Sequence, residues 1–418
     1  MSGSVRFVHA ADLHLDAPFK GVDADDPRVR QALVAATLGA LDVVVETCIA
    51  RDADFLVLAG DVYDSAEKPL RTEFAFRDAC VRLHEVGIRV FIARGNHDPA
   101  SGRSAGLEMP PNVHVFASDA VERVILEREG TPACALYGRS FRTSAERENL
   151  AAGFSRQLED ELAIGVLHAN VGDREGHGPY APCSLEDLRA ARMDYWALGH
   201  IHKPEVLSSD PPIVYSGCTQ GLHPGETGER GITIVTLDER GATLERVATA
   251  RVAWATASVA TDELTDIDAV RLALEREMKR ALQAAGGIPV VLRLVLTGRS
   301  EVHAELTRAK ALDDLLSDAR GSGLARDPWV WVDRLRDRTR PALDLDVVRG
   351  GSDFAADLVA LTDSLLADAG SLEDYVAGVA RPILGALDSR DVFGPDARSI
   401  IERARDRALD QLMAEERR

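Results

Sequence analysis

The fold is decided by a short apolar run that ends in a glycine and two carboxylates: Phe55-Leu56-Val57-Leu58-Ala59-Gly60-Asp61-Val62-Tyr63-Asp64. The apolar part is long enough for a buried parallel strand and too short for a typical helix. In an open α/β sheet, ligand sites form outside the carboxyl ends of the strands, so Asp61 is expected at the mouth of such a site. Gly60 has no Cβ, which lets the backbone turn sharply and a ligand approach closely. A turn carboxylate would explain Asp61 equally well, and the other strand ends decide between a site and a turn.

On both sides of this run, strand and helix patterns alternate. Apolar residues recur at helical spacing over 28–51 and 70–86, whereas 6–10 and 88–93 are short apolar runs. Strand, helix, strand, helix and strand in this order predict βαβ units and a parallel sheet.

The middle of the chain carries short strand patterns with less regular spacing. They lie at 113–116, 121–126, 133–137, 163–167, 194–198, 212–215 and 231–237. Turn residues separate the first three, which predicts hairpins. We therefore predict an α/β fold in which a second sheet packs against the first, giving a two-layer β core flanked by helices.

The composition changes after about residue 252, and the rest of the chain predicts two further domains. Helical patterns over 261–285 and 302–317 alternate with strand patterns over 288–296 and 329–332, which is typical of a small α+β module. Beyond Gly350 the patterns are wholly helical, over 354–366, 372–387 and 397–413. The predicted domains are residues 1–252, 253–343 and 344–418.

Composition and charge restrict the classes of function. The chain of 418 residues has a formal net charge of −19, so it repels phosphate backbones at long range. Tight nucleic-acid binding by this chain alone is therefore disfavoured, unless a metal site or a positively charged partner supplies the affinity.

The five scattered cysteines form no CxxC pair, which predicts reduced thiols and a cytoplasmic protein. We expect neither a signal peptide nor membrane association, because no uninterrupted apolar stretch approaches membrane-spanning length. The P-loop motif does not occur in the sequence.

Side chains that commonly bind metals follow the predicted strands in succession. They are Asp12 with His14, Asp61 with Asp64, Asn96 with His97, His168, and His200 with His202. Residues two apart on extended backbone point to the same side, so Asp12 with His14 can offer two ligands to one small volume. Carboxylate, amide and imidazole ligands without a thiolate suit Mn²⁺, Fe²⁺ or Zn²⁺.

Each of these residues, taken alone, also has an ordinary structural explanation. His14 would be a surface or helix-capping residue, residues 96–99 a turn, and His168 a core histidine bonded to backbone. Their joint order at successive strand ends favours a metal centre over independent structural roles.

The order and spacing of these motifs resemble a known family. D-x-H, G-D-x-x-D, G-N-H-D, a lone histidine after a strand, and G-H-x-H between Asp12 and His202 are similar to the motifs of the calcineurin-like metallophosphoesterases. Residues 7–16, 60–64 and 216–221 are further similar to the SbcD/YhaO branch of DNA-repair exonucleases. The resemblance implies a metallophosphoesterase fold with a small α+β capping domain over 253–343. It also implies a C-terminal helical partner-docking region over 344–418.

The resemblance also implies roles for individual residues. One divalent ion would be held by Asp12, His14, Asp61 and His202, and a second by Asp61, Asn96, His168 and His200, with a hydroxide bridging the two ions. His97 would act as the general acid and Asp98 would orient it, while Asp64 is assigned a hydrogen bond behind the ligands. Arg94, Arg139 and His223 are candidates for contacts to substrate phosphates, although surface or structural roles explain them as well. The expected metal is Mn²⁺, with Fe²⁺, Zn²⁺ or Mg²⁺ as alternatives.

Three functions follow from these observations. The first is a hydrolase that cleaves DNA as an exonuclease or endonuclease. It would be the nuclease subunit of an SbcCD-like DNA-repair complex, with an SbcC/YhaN-like ATPase as its partner. A homodimer is also possible. The second is a phosphatase or phosphodiesterase for nucleotides or other small phosphate esters. The third is a metal-binding scaffold without enzymatic activity, which the presence of every expected ligand disfavours.

Overall fold

The computed structural model of the protein describes residues 4–65, 69–102, 106–172, 174, 178–367 and 397–416, together with 370, 372, 375, 378 and 379. The chain divides into two compact units, each described below by itself. Unit 1 comprises Met1–Ala257, Arg276–Arg293 and Asp318–Arg334, and unit 2 comprises Ser258–Glu275, Leu294–Ser317 and Leu335–Arg418. The predicted domain boundaries after residues 252 and 343 stay predictions.

The strands are numbered in chain order. They are β1 (Val5–Ala10), β2 (Phe55–Ala59), β3 (Arg89–Ala93), β4 (Val113–Val115), β5 (Glu122–Arg128), β6 (Thr131–Arg139), β7 (Ala163–His168), β8 (Tyr195–Gly199), β9 (Glu205–Ser209), β10 (Pro212–Tyr215), β11 (Gly231–Asp238), β12 (Gly241–Ala248), β13 (Ala253–Ala260), β14 (Val290–Ser300) and β15 (Val330–Pro341).

The helices are numbered in the same way. They are α1 (Pro27–Ala50), α2 (Leu70–Glu85), α3 (Leu185–Ala190), α4 (Ile267–Ala284), α5 (His303–Leu306), α6 (Ala311–Leu324), α7 (Leu345–Arg349), α8 (Phe354–Ala367) and α9 (Ala397–Glu416), with a 3₁₀ turn at Leu150–Gly153.

Unit 1 is built on two six-stranded sheets. The first has the strand order β12-β11-β1-β2-β3-β4 and the second β5-β6-β7-β8-β10-β9. In the first sheet β1 to β4 are parallel, and in the second β6, β7, β8 and β10 are parallel. The carboxyl ends of the parallel strands therefore lie at one edge of each sheet, where ligand sites form in α/β folds.

The two sheets pack face to face through a shared hydrophobic core. Phe7, Phe55 and Phe91 of the first sheet belong to one buried cluster with Ile164 and Tyr195 of the second. A second cluster joins the outer face of the first sheet to α1 and α2, and a third covers the outer face of the second sheet around α3. The fold is thus the predicted two-layer β core flanked by helices.

Helix α1 begins with a strong capping signal. The Asp26 side chain accepts hydrogen bonds from the backbone N–H groups of Arg28 and Val29, and Pro27 occupies the first turn, where its missing N–H costs nothing. With 24 residues, α1 is long and apolar enough to cross a membrane by length and composition, although Asp42 and Glu46 interrupt its apolar run. Core helices satisfy the same criterion, and α1 packs Leu41 and Val44 into the core below the first sheet.

The interpretation of residues 113–116 as part of a hairpin is wrong. β4 pairs in parallel with β3 as the edge strand of the first sheet, whereas β5 and β6 form the expected antiparallel pair. Two strands that pair across 20 or more residues of sequence leave no local signal of their pairing. The alternation of hydrophobic residues within a strand is the same whichever strand it pairs with.

Strands β13, β14 and β15 form a three-stranded sheet with β14 in the middle, and the division between the units falls within these strands. Inside unit 2, Asp406 of α9 lies 3.2 Å from Nη2 of Arg299 and 2.7 Å from Nη1 of Arg340, so ion pairs tie α9 to the ends of β14 and β15. The helices predicted over 354–366 and 397–413 correspond to α8 and α9. Most of the helix predicted over 372–387 lies outside the described residues.

Candidate metal centre

The predicted ligands lie on loops that follow parallel strands of both sheets. Asp12 and His14 follow β1, Asp61 follows β2, Asn96 follows β3, His168 ends β7, and His200 and His202 follow β8. Backbone hydrogen bonds align the first two loops, since the N–H of Asp12 donates to Gly60 O and that of His14 to Asp61 O, both at 3.0 Å. The second sheet joins them through His168, whose Nδ1 lies 3.0 Å from Ala59 O. The side chains therefore converge because both sheets present their carboxyl ends to the same place.

A first group of ligand atoms consists of Asp12, His14 and His202. One atom from each of the three lies within 4.8 Å of the others. The two imidazoles face each other directly, with 3.1 Å between their Nε2 atoms. These are three of the four residues that the resemblance assigns to one ion.

A second group consists of Asp12, Asp61 and His168, again with ligand atoms within 4.8 Å of one another. Nε2 of His168 lies 3.4 Å from Oδ2 of Asp61 and 3.0 Å from Oδ1 of Asn96. The same Asp61 oxygen lies 3.8 Å from Nε2 of His14. Asp61 thus reaches the imidazoles of both groups, which is the arrangement that a bridging carboxylate needs.

The structure places His200 beside the second group in a different way. Its ring centroid is 5.2 Å from that of His168, and its Nε2–H donates to Gly178 O at 3.0 Å. The ring nitrogen left for a metal is therefore Nδ1. Its backbone N–H donates to both carboxylate oxygens of Asp12, at 3.0 and 3.2 Å, so His200 also orients a predicted ligand.

The hydrogen-bond partners of His168 show which ring nitrogen faces the candidate metal position. A carbonyl oxygen can only accept, so Nδ1–H of His168 donates to Ala59 O, and Nε2 is the nitrogen directed into the ligand group. Nε2 lies 3.4 Å from Oδ2 of Asp61, so an imidazole and a carboxylate face the same small volume. Carboxylate, imidazole and amide ligands without a thiolate suit divalent transition metals.

Charge supports the same interpretation. Burial by itself would lower the pKa of His14, but the hydrogen bond with Asp64 and the charges of Asp61 and Asp12 raise it to about 9. Burial likewise opposes ionisation of Asp61, yet the neighbouring imidazoles of His168, His14 and His97 lower its pKa. The site therefore attracts positive charge strongly enough to overcome the cost of burial.

The loops adopt a strained backbone to present these side chains. Asp12, His14, Asp61 and His200 all have positive φ angles, of 51°, 42°, 51° and 98°. Non-glycine residues rarely adopt such angles, and they cluster at functional sites, where the surrounding structure holds them in place. Gly60 has φ 98°, and a Cβ there would lie 2.2 Å from Nδ1 of His168, so only glycine permits the close approach of the two sheets.

His97 lies at the solvent edge of the site. Its side chain is 39% exposed, and its Nδ1–H donates to Asp64 O at 2.6 Å. Its backbone N–H donates to Oδ1 of Asp61, which ties it to the predicted bridging residue. The ring nitrogen available for proton transfer is therefore Nε2.

Asp98 and Asp64 hold the loops around the site together. The buried Asp98 carboxylate accepts hydrogen bonds from the backbone N–H groups of Val62, at 3.0 Å, and Gly95, at 2.9 Å. Its predicted role in orienting His97 stays a prediction. Oδ1 of Asp64 lies 3.2 Å from Nδ1 of His14, in the position expected for a residue behind the ligands.

The three candidate substrate residues occupy different environments. Arg94 is half-buried, with its backbone N–H bonded to the Ser140 hydroxyl and one guanidinium nitrogen 3.4 Å from Pro99 O. Arg139 ends β6 and is also half-buried, whereas His223 is exposed, with its Nδ1 accepting from the Gly225 N–H. Their proposed contacts to phosphate stay predictions.

Sequence reasoning missed Glu226. Its Oε1 lies 2.5 Å from Nδ1 of His202, and its Oε2 accepts from the Leu222 N–H at 2.6 Å. Burial by itself would raise the pKa of Glu226, but the hydrogen bond with His202 lowers it to about 2, so the carboxylate is ionised. The sequence signal was weak: one of two carboxylates in a glycine-rich loop, 24 residues after its partner.

Comparison with known proteins agrees with this geometry. Residues 5–204 match the family model described as calcineurin-like phosphoesterase, and residues 254–340 match the one described as metallophosphoesterase YhaO, middle domain. The uncharacterized metallophosphoesterase YhaO of Bacillus subtilis is 34% identical over 82% of this chain and 84% of its own length.

More distant relatives are nucleases and repair proteins. The DNA double-strand break repair protein Mre11 of Methanocaldococcus jannaschii is 25% identical over 53% of this chain and 58% of its own. The SbcD component of the nuclease SbcCD of Escherichia coli K12 is 23% identical over 54% of this chain and 63% of its own. A solved dimetal phosphatase of Danio rerio is 11% identical over 59% of this chain and 96% of its own, with a TM-score of 0.34.

The extent of the match to YhaO and the paired groups of ligands lead to the same assignment. A dinuclear metal centre at the carboxyl ends of the strands is the site that this family uses to hydrolyse phosphoesters. The chain belongs to the YhaO family of calcineurin-like metallophosphoesterases and is a metal-dependent phosphoester hydrolase.

Proposed function

We propose that this phosphoesterase is a Mn²⁺-dependent DNA nuclease that works as the catalytic subunit of a larger repair complex. The observation that carries the proposal is His97, an exposed imidazole anchored beside two groups of buried ligands. Support for DNA as substrate comes from the relatives, since an Mre11 repair protein and the SbcCD nuclease component each match about half of the chain.

The residues suggest how the reaction would proceed. Asp12, His14, Asp61 and His202 would hold one ion, and Asp61, Asn96, His168 and His200 the other. When bound, two divalent ions activate a water and neutralise charge on the phosphate. His97 would protonate the leaving 3′-oxygen through Nε2, while the carbonyl of Asp64 holds Nδ1 and keeps the ring oriented.

The charge of the chain favours a partner. A net charge of −19 weakens binding of the phosphate backbone, so we propose that an SbcC/YhaN-like ATPase supplies DNA affinity. Residues 344–418 are the proposed docking region for this ATPase, and a second copy of this chain is an alternative partner. The five buried cysteines are all unpaired, which favours a cytoplasmic location.

The same acidity favours a second candidate. The repulsion grows with the number of phosphates near the chain, so nucleotides or other small phosphate esters are repelled less than DNA. Exonuclease and phosphatase therefore differ in substrate, while the ligands and the acid are shared.

The test compares polymer and small substrates with the purified full chain. Single- and double-stranded oligonucleotides, a cyclic nucleotide and p-nitrophenyl phosphate are incubated with Mn²⁺, with and without an SbcC/YhaN-like ATPase. We expect cleavage of DNA that requires Mn²⁺ and increases with the ATPase, and loss of cleavage in Asp61→Ala.

Two results would decide against DNA. Turnover of the small substrates with inert oligonucleotides, in both the presence and the absence of the ATPase, would establish the second candidate. Failure to bind Mn²⁺ and to cleave any of these substrates would remove both.

A further inference from the structure

The two groups of ligands differ in what stands behind their imidazoles. Each predicted histidine ligand offers one nitrogen to the metal side and holds the other in a hydrogen bond or ion pair. Behind His202 that partner is the carboxylate of Glu226, at 2.5 Å, and behind His14 it is the carboxylate of Asp64, at 3.2 Å. The first group therefore has two carboxylates behind its imidazoles.

The other two imidazoles are hydrogen-bonded to backbone carbonyls. Nδ1–H of His168 donates to Ala59 O, and Nε2–H of His200 donates to Gly178 O, each at 3.0 Å. Oδ1 of Asp12 lies 4.0 Å from Nδ1 of His168, beyond hydrogen-bond distance, so neither of these two hydrogen bonds is to a charged group. Two imidazoles of the same chemical type thus have different supports within one centre.

Glu226 is held in a fixed position beside His202. Its second oxygen accepts from the Leu222 N–H at 2.6 Å, and its side chain is only 18% exposed. Arg230 fastens the same loop to the ligand, because Nη1 donates to His202 O at 2.5 Å while Nη2 donates to Thr227 O at 2.8 Å. The hydrogen bonds of the loop therefore fix the position of the carboxylate relative to the imidazole.

The kind of support affects how strongly an imidazole binds a cation. A carboxylate behind a histidine ligand fixes its tautomer, raises its basicity and adds negative charge near the ion, whereas a carbonyl only fixes the tautomer. Removing such a partner weakens metal binding by about 10- to 100-fold.

We propose that the two metal positions are unequal, and that the position at His14 and His202 binds its ion more tightly and fills first. Glu226 is the positioning residue that causes most of the difference. The inference rests on the ligand set of the proposed function, and it holds for any phosphoester substrate.

Calorimetric titration of the metal-free full chain with Mn²⁺ tests the inference without relying on activity. Wild type should show two binding steps of different affinity. Glu226→Gln keeps the size of the side chain and removes its charge, and it should weaken the tighter step about 10- to 100-fold while leaving the weaker one unchanged. Glu229→Gln, an exposed carboxylate in the same loop, is the matched control and should leave both steps unchanged.

A crystallographic measurement on wild type does not depend on a folded variant. Crystals soaked with less than one equivalent of Mn²⁺ should show anomalous density beside His14 and His202 first. Density that appears first beside His168 and Asn96 would overturn the inference.

The titration also separates this inference from the proposed function. Two equal steps in wild type, or unchanged steps in Glu226→Gln, would refute the inequality and leave a working metallophosphoesterase. If wild type binds no Mn²⁺ at all, the proposed metal centre itself fails. A Glu226→Gln protein that loses both steps together, with its apo melting temperature retained, would assign Glu226 to the whole centre and overturn the selective role.

Discussion

The carboxylates at the two ends of the β core of unit 1 have different kinds of partner. At the end where β2 begins, Asp54 lies 2.5 Å from Nη2 of Arg128 and accepts the backbone N–H of Arg6 at 2.8 Å. At the carboxyl end of the same strand, Asp61 is only 2% exposed, and its ion-pair partners are imidazoles. Within the described part of the chain, neither Asp12 nor Asp61 has an arginine or lysine at ion-pair distance.

The difference shows what distinguishes a structural carboxylate from a ligand. A buried carboxylate without a fixed cation is costly, so it persists where a bound cation or a titrating group completes it. Asp54 is already satisfied by guanidinium and backbone. Asp61 is satisfied by groups that can exchange a proton for a metal ion, which is the property of a metal centre.

The largest effect should come from replacing Asp61. Asp61→Asn removes the charge shared by both ligand groups, so kcat/KM should fall by about 10³-fold or more. The measurement is the initial rate of bis(p-nitrophenyl) phosphate hydrolysis with Mn²⁺. Asp64→Asn is the comparison: it lies behind a ligand, and its loss should be smaller, about 10- to 100-fold. Equal losses in both variants would contradict a bridging role for Asp61.

The next effect concerns the exposed histidine. If His97 protonates the leaving oxygen, His97→Ala should reduce DNA cleavage by about 10²- to 10⁴-fold, the range for general acid catalysis. Hydrolysis of bis(p-nitrophenyl) phosphate should fall much less, since p-nitrophenolate leaves without a proton. The ratio of the two losses is measured at saturating Mn²⁺. Similar losses on both substrates would assign His97 to substrate binding or metal retention instead.

A smaller effect is expected from pH. The pKa of His14 in the metal-free protein is raised from 6.5 to about 9, chiefly because its partner carboxylates outweigh burial. Its protonation therefore stabilises the apo fold fully below pH 6.5, and this contribution is lost as pH rises through about 9. Because Mn²⁺ must displace that proton, the gain in melting temperature on adding Mn²⁺ should increase across this interval.

Differential scanning calorimetry of the apo and Mn²⁺ forms checks the pH dependence. His14→Gln should flatten the apo curve over the same interval. A gain from Mn²⁺ that is independent of pH in wild type would show that His14 binds no metal.

The smallest effect should be at the opposite end of the core. Asp54→Asn breaks a half-exposed ion pair, which contributes about 0–1 kcal/mol to stability. The free energy of unfolding should change by no more than that, and the hydrolysis rate with Mn²⁺ should remain at the wild-type value. A loss of activity comparable to that of Asp64→Asn would contradict the distinction between the structural carboxylate Asp54 and the candidate ligand Asp61.

The local patterns predicted most of the elements of unit 1. The apolar runs ending at Ala59 and Ala93 and the helical spacing in α1 and α2 depend on nearest-neighbour periodicity, which is a property of the sequence itself. The placement of β4 beside β3, by contrast, depends on which edge is available once the sheet has formed. Strand pairing is a choice among distant partners, and the chain does not encode it locally.

The sequence by itself identified the candidate metal-binding side chains, because aspartate, asparagine and histidine after successive strands have few other shared explanations. Only the tertiary structure decided their partners. Glu226 stands behind His202, Gly178 O binds His200, and Ala59 O orients His168. The physical reason is the separation along the sequence. A strand end specifies locally where one side chain emerges, whereas a contact between two distant loops depends on how the sheets pack. For the same reason, the contrast between carboxylate-supported and carbonyl-supported imidazoles could be recognised only in three dimensions.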